Sequence, residues 1–167
     1  QKGSIYIKYI DNNLPECFSN VRNQIISDNN IVDIRNGFDF EAPTRAYSDL
    51  IAYMKNGSYT HDHRDYLYEA DYKVLNGAEL IRYNVTLSVA DNGGIPCYNM
   101  DSDSEGRSIG GTNITPILGE YILCECENRH KCSEVVGDSP RVFASYSFIV
   151  SKPEKYKPIE TNLINRY

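Results

Sequence analysis

The spacing of hydrophobic positions changes along the chain, and each change predicts an element. In "SIYIKYI", Ile5, Ile7 and Tyr9 alternate with Tyr6, Lys8 and Ile10, a strand apolar on both sides and therefore expected at the centre of a sheet. "NNLPECFSNVRNQIISD" repeats instead at helical spacing, through Leu14, Cys17, Phe18, Val21 and Ile25. Asn13 can cap it and Pro15 suits its first turn, so a helix is predicted over 15–27 with Cys17 turned to the core. A short strand in "IVDI" is expected next. After it, "GFDFEAPTRAYSDLIAYMKNG" reads as a second helix, with Tyr47, Leu50, Ile51 and Met54 on one face and Asn56-Gly57 as its stop.

Beyond residue 65 the period becomes two. Tyr66, Tyr68, Ala70, Tyr72 and Val74 face one way in "YLYEADYKVL", while Glu69, Asp71 and Lys73 face the other. Asn76-Gly77 is a hairpin signal, since both central turn positions need positive φ. A two-residue turn there would pair Tyr72 with Ile81, Ala70 with Tyr83, Tyr68 with Val85 and Tyr66 with Leu87, all apolar, and Asp71 with Arg82 on the outer face. The same register sets His63 opposite Ala90 and leaves His61 beyond the strands, so both histidines read as rim residues. "DNGGIPCYNMDSDSEGRSIGGTNITPI" is expected to be a long polar loop. Two further strands follow, in "GEYILCECE" and in "RVFASYSFIVS", where Val142, Ala144, Tyr146, Phe148 and Val150 share a face. The expected fold class is α+β, an N-terminal strand and two helices followed by a mainly antiparallel, hairpin-based sheet. It forms one domain over 1–167, with a core at about 4–151 and a surface tail at 152–167.

Charge and cysteine content narrow the setting. A net charge of -6 opposes a broad nucleic-acid-binding face, and no apolar run is long enough for a membrane helix. Gln1 in place of an initiator methionine reads as processing, and five cysteines in a short chain suit an oxidising compartment, so secretion is expected. Cys17, Cys97, Cys124, Cys126 and Cys132 are the disulfide candidates, enough for two bridges and one thiol. Cys17 is expected to reach one of the later cysteines, whereas Cys124 and Cys126 lie on one face of a strand and are not expected to join each other. Asn56, Asn84 and Asn113 are candidate glycosylation sites.

Three clusters could carry chemistry. "DSDSEG" begins like a calcium loop through Asp101, Asp103 and Glu105, but Thr112 stands where the closing carboxylate should be. "CECENRHKC" holds enough donors for zinc, yet its spacing fits no common zinc module, and no metal site is expected. "YTH" at 59–61 with Glu69 and Arg141 invites a secreted ribonuclease reading, in which a base, a cation and an acid act together. The second histidine that reaction needs does not follow Arg141.

Several segments, taken in order, resemble the catalytic subunits of pertussis toxin and the heat-labile enterotoxins, secreted mono-ADP-ribosyltransferases. "IYIKYIDNNLPECF" resembles their opening strand and helix start, "GFDFEAPTRAYSDLIAYM" their second strand running into a helix, "ELIRYNVTLSVADNG" their central strand, and "LGEYIL" the segment with the catalytic glutamate, here Glu120. The resemblance implies that fold, and NAD as cofactor if the chain is an enzyme. Glu125 and Glu127 are alternative catalytic carboxylates. Tyr9 stands at the family's cofactor-binding arginine with Lys8 beside it, and Phe40-Glu41-Ala42 replace its Ser-Thr-Ser. Those departures imply a secreted, toxin-like effector of virulence that binds a host protein or other macromolecule, needs no cofactor and has lost catalysis. An active NAD-dependent transferase using Glu120 is the alternative.

Overall fold

The structure, a computed structural model, describes residues 5–10, 15–35, 46–75 and 77–151. In chain order the elements are β1 (Tyr6–Tyr9), α1 (Glu16–Asn29), β2 (Leu50–Met54), β3 (Thr60–His63), α2 (Glu69–Val74), β4 (Ala78–Ser88), β5 (Asn92–Gly93), β6 (Pro96–Ser102), β7 (Ser108–Ile109), β8 (Thr112–Asn113), β9 (Tyr121–Glu125), β10 (Arg129–Cys132), β11 (Val135–Val136) and β12 (Arg141–Ser151). The larger sheet runs β1-β2-β12-β4-β9 and the smaller β3-β10-β6-β7, with β8 also on β6; every pairing is antiparallel. From β2 onward the chain passes back and forth between the sheets: β2, β4, β9 and β12 belong to the larger, and β3, β6 and β10 to the smaller. This winding is a double-stranded β-helix, in which two facing sheets share one interior.

Alternation along the long strands makes the two faces of the larger sheet different. Ile81, Tyr83 and Val85 of β4 with Ala144, Tyr146 and Phe148 of β12 form the outer face. They pack with Ile25, Phe18 and Ile26 of α1, and the Phe148 and Tyr146 side chains are fully buried. The opposite face, through Leu50, Ala52, Met54, Arg82, Asn84, Arg141, Phe143 and Ser145, looks into a cavity of about 370 Å³ that His63, Pro96, Tyr98, His130 and Cys132 close from the other side. Polar groups therefore sit on an inward face, an arrangement that is costly unless something binds them.

Several sequence expectations are corrected here. The α+β, hairpin-based fold class gives way to a mostly antiparallel β fold. The strand expected to lead into the hairpin is a helix: residues 69–74 form α2, Val74 is 68% exposed and Asp71 only 3%, the reverse of the strand reading, and Asn76 of the expected turn lies outside the described residues. A Glu69–Lys73 ion pair at 2.7 Å, one turn apart, supports that helix. Ladders to β12 and β9 hold β4 instead. The expected second helix is strand β2, whose Ala52 and Met54 are buried while Tyr53 is exposed, an alternation that the helical spacing of Leu50, Ile51 and Met54 had hidden. No strand forms at "IVDI"; Asp33 there pairs with Arg22 at 2.9 Å and Arg35 at 3.0 Å. The polar stretch from 91 onward is threaded by β5 to β8. Strand β1 is real but lies at a sheet edge with Tyr6 and Ile7 exposed.

Helix α1 covers its expected span, yet Cys17 lies on its exposed side. All five cysteines are free thiols, so the expected bridges, that of Cys17 included, are absent. Residues 36–45, which include Phe40-Glu41-Ala42, and the tail at 152–167 lie outside the described residues.

Candidate active site

Strand β3 ends at His63, and the pairing of β10 on β3 sets His130 directly opposite it. Two residues past His63 the chain leaves the strand, which turns Asp65 back toward the same point. The three side chains offer ligand atoms that all lie within 4.8 Å of one another. His130 Nε2 is 3.4 Å from Asp65 Oδ2, and His63 Nε2 is 3.8 Å from Asp65 Oδ1. The two imidazoles meet edge to face with centroids 4.3 Å apart.

The far nitrogen of each ring is fixed by the main chain. His63 Nδ1 donates to the His61 carbonyl at 2.6 Å, and His130 Nδ1 to the Asn128 carbonyl at 2.8 Å. A carbonyl can only accept, so each Nδ1 carries a proton, and Nε2 is the nitrogen that each ring turns toward the cluster. This is the outer-shell support that metal-ligating histidines show. Two imidazoles and one carboxylate on one face, with the remaining directions open to a cavity, make a donor set suited to a divalent first-row metal. It is the arrangement of non-haem iron(II) oxygenases.

Charge in the cavity is arranged around this cluster. Arg141, at the start of β12, is 2% exposed; its Nη1 donates to Cys132 Sγ at 2.9 Å, its guanidinium lies 4.7 Å from the Phe143 ring centroid, and its Nε has no partner. Burial pushes the Cys132 thiol above its usual value although Arg141 opposes this, so the guanidinium faces a neutral sulfur. Two other buried polar atoms on the same wall lack partners, Ser145 Oγ and Asn84 Oδ1, from residues paired across β12 and β4. Asn84 Nδ2 donates to Tyr98 Oη at 3.1 Å. Hydrogen bonding from Cys126 is the main influence that lowers the Cys124 thiol, with His130 assisting, against burial that would raise it.

The residues singled out from sequence lie elsewhere. Glu120 is exposed in the turn before β9, Glu125 closes β9 opposite Ile81, and Glu127 follows in the next turn. Lys8 and Tyr9 lie on edge strand β1 opposite Ile51 and Leu50. None of these five lines the cavity. Asn56 and Asn113 are exposed, but Asn84 is 9% exposed and points inside, where a glycan has no room. His61 is exposed against Tyr59, whereas His63, read as a rim histidine, and His130, from the "CECENRHKC" stretch, form the cluster with Asp65. Asp103 bonds the amides of Glu105 and Arg107, so the "DSDSEG" loop folds on itself. The signal that could have found the site was His-x-Asp at 63–65, with His130 and Arg141 following in order; what concealed it was the hairpin register.

No protein-family model and no curated protein matches the chain by sequence. By structure it is similar to the viral collagen prolyl hydroxylase of Paramecium bursaria Chlorella virus-1, solved as a complex with 2-oxoglutarate (TM-score 0.53, 17% identity, 88% of this chain and 79% of that one). It is also similar to a prolyl-4-hydroxylase of Pseudomonas putida (TM-score 0.57, 12% identity, 89% and 72%). At these identities the likeness is one of fold alone, the double-stranded β-helix. It overturns the resemblance to ADP-ribosyltransferases and, with it, the toxin-like effector, the NAD-dependent transferase and the ribonuclease readings. The expectations of no cofactor and no metal site are corrected by the cluster itself, since His63, Asp65 and His130 present a donor set able to hold a metal ion.

Proposed function

We propose that the chain is an iron(II)- and 2-oxoglutarate-dependent oxygenase. The observation that carries this reading is the convergence of His63, Asp65 and His130, both rings oriented by main-chain carbonyls, inside a fold shared with such enzymes. Those three residues would hold the metal. Arg141 fits the distal carboxylate of the oxo acid: a buried guanidinium with an unpartnered Nε and no ion pair among the described residues needs an anion, and Ser145 Oγ offers a further hydrogen bond. Ser145 lies four positions beyond Arg141 on β12, roughly 13 Å of strand, a span that the arginine side chain and a short dicarboxylate can share.

When bound, iron and the oxo acid supply the activation of dioxygen that hydroxylates an unactivated C–H bond. The chain's own part is to hold the ligands in one register and to keep water away. Phe143 shields the guanidinium, Tyr98 covers the cluster from the smaller sheet, and the carbonyls of His61 and Asn128 keep the lone pairs aimed.

Calorimetry under anaerobic conditions tests the reading in two stages. Iron(II) should bind once, and Asp65→Ala or His130→Ala should abolish it. 2-Oxoglutarate should then bind the loaded protein, and Arg141→Gln should weaken that by at least about thirtyfold while leaving iron uptake intact. An Arg141→Gln variant that binds the oxo acid as tightly as the wild type would refute the assignment.

A further inference from the structure

A second guanidinium faces the same cavity. Arg82 is two residues before Asn84 on the inward face of β4, directly opposite Cys124 on β9 and Ser147 on β12. Its hydrogen bonds are long ones to main-chain carbonyls, Nη1 to Ser48 O at 3.3 Å and Nη2 to Ala46 O at 3.5 Å, and it makes no ion pair among the described residues. The neighbouring Asn84 is nine-tenths buried, and its Oδ1 is an unpartnered acceptor in the same space.

Charge balance then asks for one more anion. Asp65 is the one acidic side chain among the described residues that line the cavity, and it is committed to the metal; Lys131 is exposed and solvated. With Asp65 given to the metal and Arg141 to the oxo acid, the Arg82 guanidinium is left with no carboxylate partner among the described residues. Half-buried and turned into the cavity with only long main-chain hydrogen bonds, Arg82 presents a planar fork suited to a carboxylate, so the second substrate should bring one. The Asn84 acceptor asks that it also bring an N–H. A cavity of about 370 Å³, at the small end of ligand pockets, must hold both substrates, which favours a small molecule over a polypeptide.

Resting on the oxygenase reading, we infer that Arg82 and Asn84 recognise a free α-amino acid as the substrate to be oxidised, Arg82 through its carboxylate and Asn84 through its amino group. The test uses the full chain loaded with manganese(II), which does not turn over, and 2-oxoglutarate. Each free protein-forming amino acid is titrated alongside its carboxamide, its N-acetyl form and a dipeptide ending in it.

At least one free amino acid should bind. Its carboxamide should bind at least about thirtyfold more weakly, Arg82→Gln should lose affinity by a similar factor, and Arg82→Lys should recover part of it. Silence across the panel, equal binding of acid and carboxamide, or full affinity in Arg82→Gln would each overturn the inference; dipeptides binding as well as the free acid would overturn the small-molecule assignment. If the wild type fails to load manganese and 2-oxoglutarate, the oxygenase reading falls and the inference with it. A loaded but silent protein removes the inference alone.

Discussion

The protonation of His130 decides whether the site can hold an ion. Burial alone would lower its pKa, but hydrogen bonds to Asp65 and Cys124 outweigh this and push the ring up to about 10 in the metal-free chain. Burial would likewise raise Asp65, yet its bond to His130 and the charge of His63 hold it below the usual carboxylate range. Two pH effects of opposite sense follow. Without metal, a folded pKa above the unfolded value of roughly 6.5 gives stability that is complete below that pH and is lost as pH climbs toward 10. Urea titrations in chelator should therefore show the advantage of wild type over His130→Gln shrinking across that window. An ion needs the neutral ring, so uptake displaces a proton and affinity should rise with pH over the same range. Adding manganese(II) to a weakly buffered sample should acidify it; an unchanged pH would mean that the ring is already neutral.

At the level of elements, α2 matters because it follows Asp65 directly and decides where the metal-binding segment leaves β3. One phenol pins it. Tyr47 Oη donates to the buried Asp71 at 2.8 Å and accepts from the Tyr68 amide, at the start of the helix, also at 2.8 Å. Tyr47→Phe removes both bonds and should cost about 1–3 kcal/mol in chemical denaturation. A loss under about 0.5 kcal/mol would mean that packing alone holds the helix. The same stretch shows what local sequence could and could not reveal. The segments α1, β9 and β12 were legible because one period runs through each of them. At 47–54 and 66–74 the apolar spacing satisfies both periods, and only contacts with distant strands decide: β2 is claimed by β1 and β12, and 69–74 by Tyr47. His63 and His130 become neighbours through the β3–β10 ladder, and no local pattern encodes that pairing.

For the molecule as a whole, the free thiols bear directly on handling. Four of the five cysteines are buried, so alkylation in denaturant without reductant should add five labels by intact mass; three or one would restore a disulfide. The back-and-forth path of the chain has a kinetic consequence. Each ladder that builds the site joins residues far apart in sequence, β3 with β10 and β2 with β12, so the chain has high contact order and must close long loops before His63 meets His130. An ion then arrives after the rate-limiting step and cannot template it. In stopped-flow refolding, manganese(II) should leave the folding rate unchanged and slow unfolding, since interactions absent from the transition state act on the unfolding limb. A metal-accelerated folding phase would instead mean that the site half-forms early, and that the ion helps the two sheets find each other.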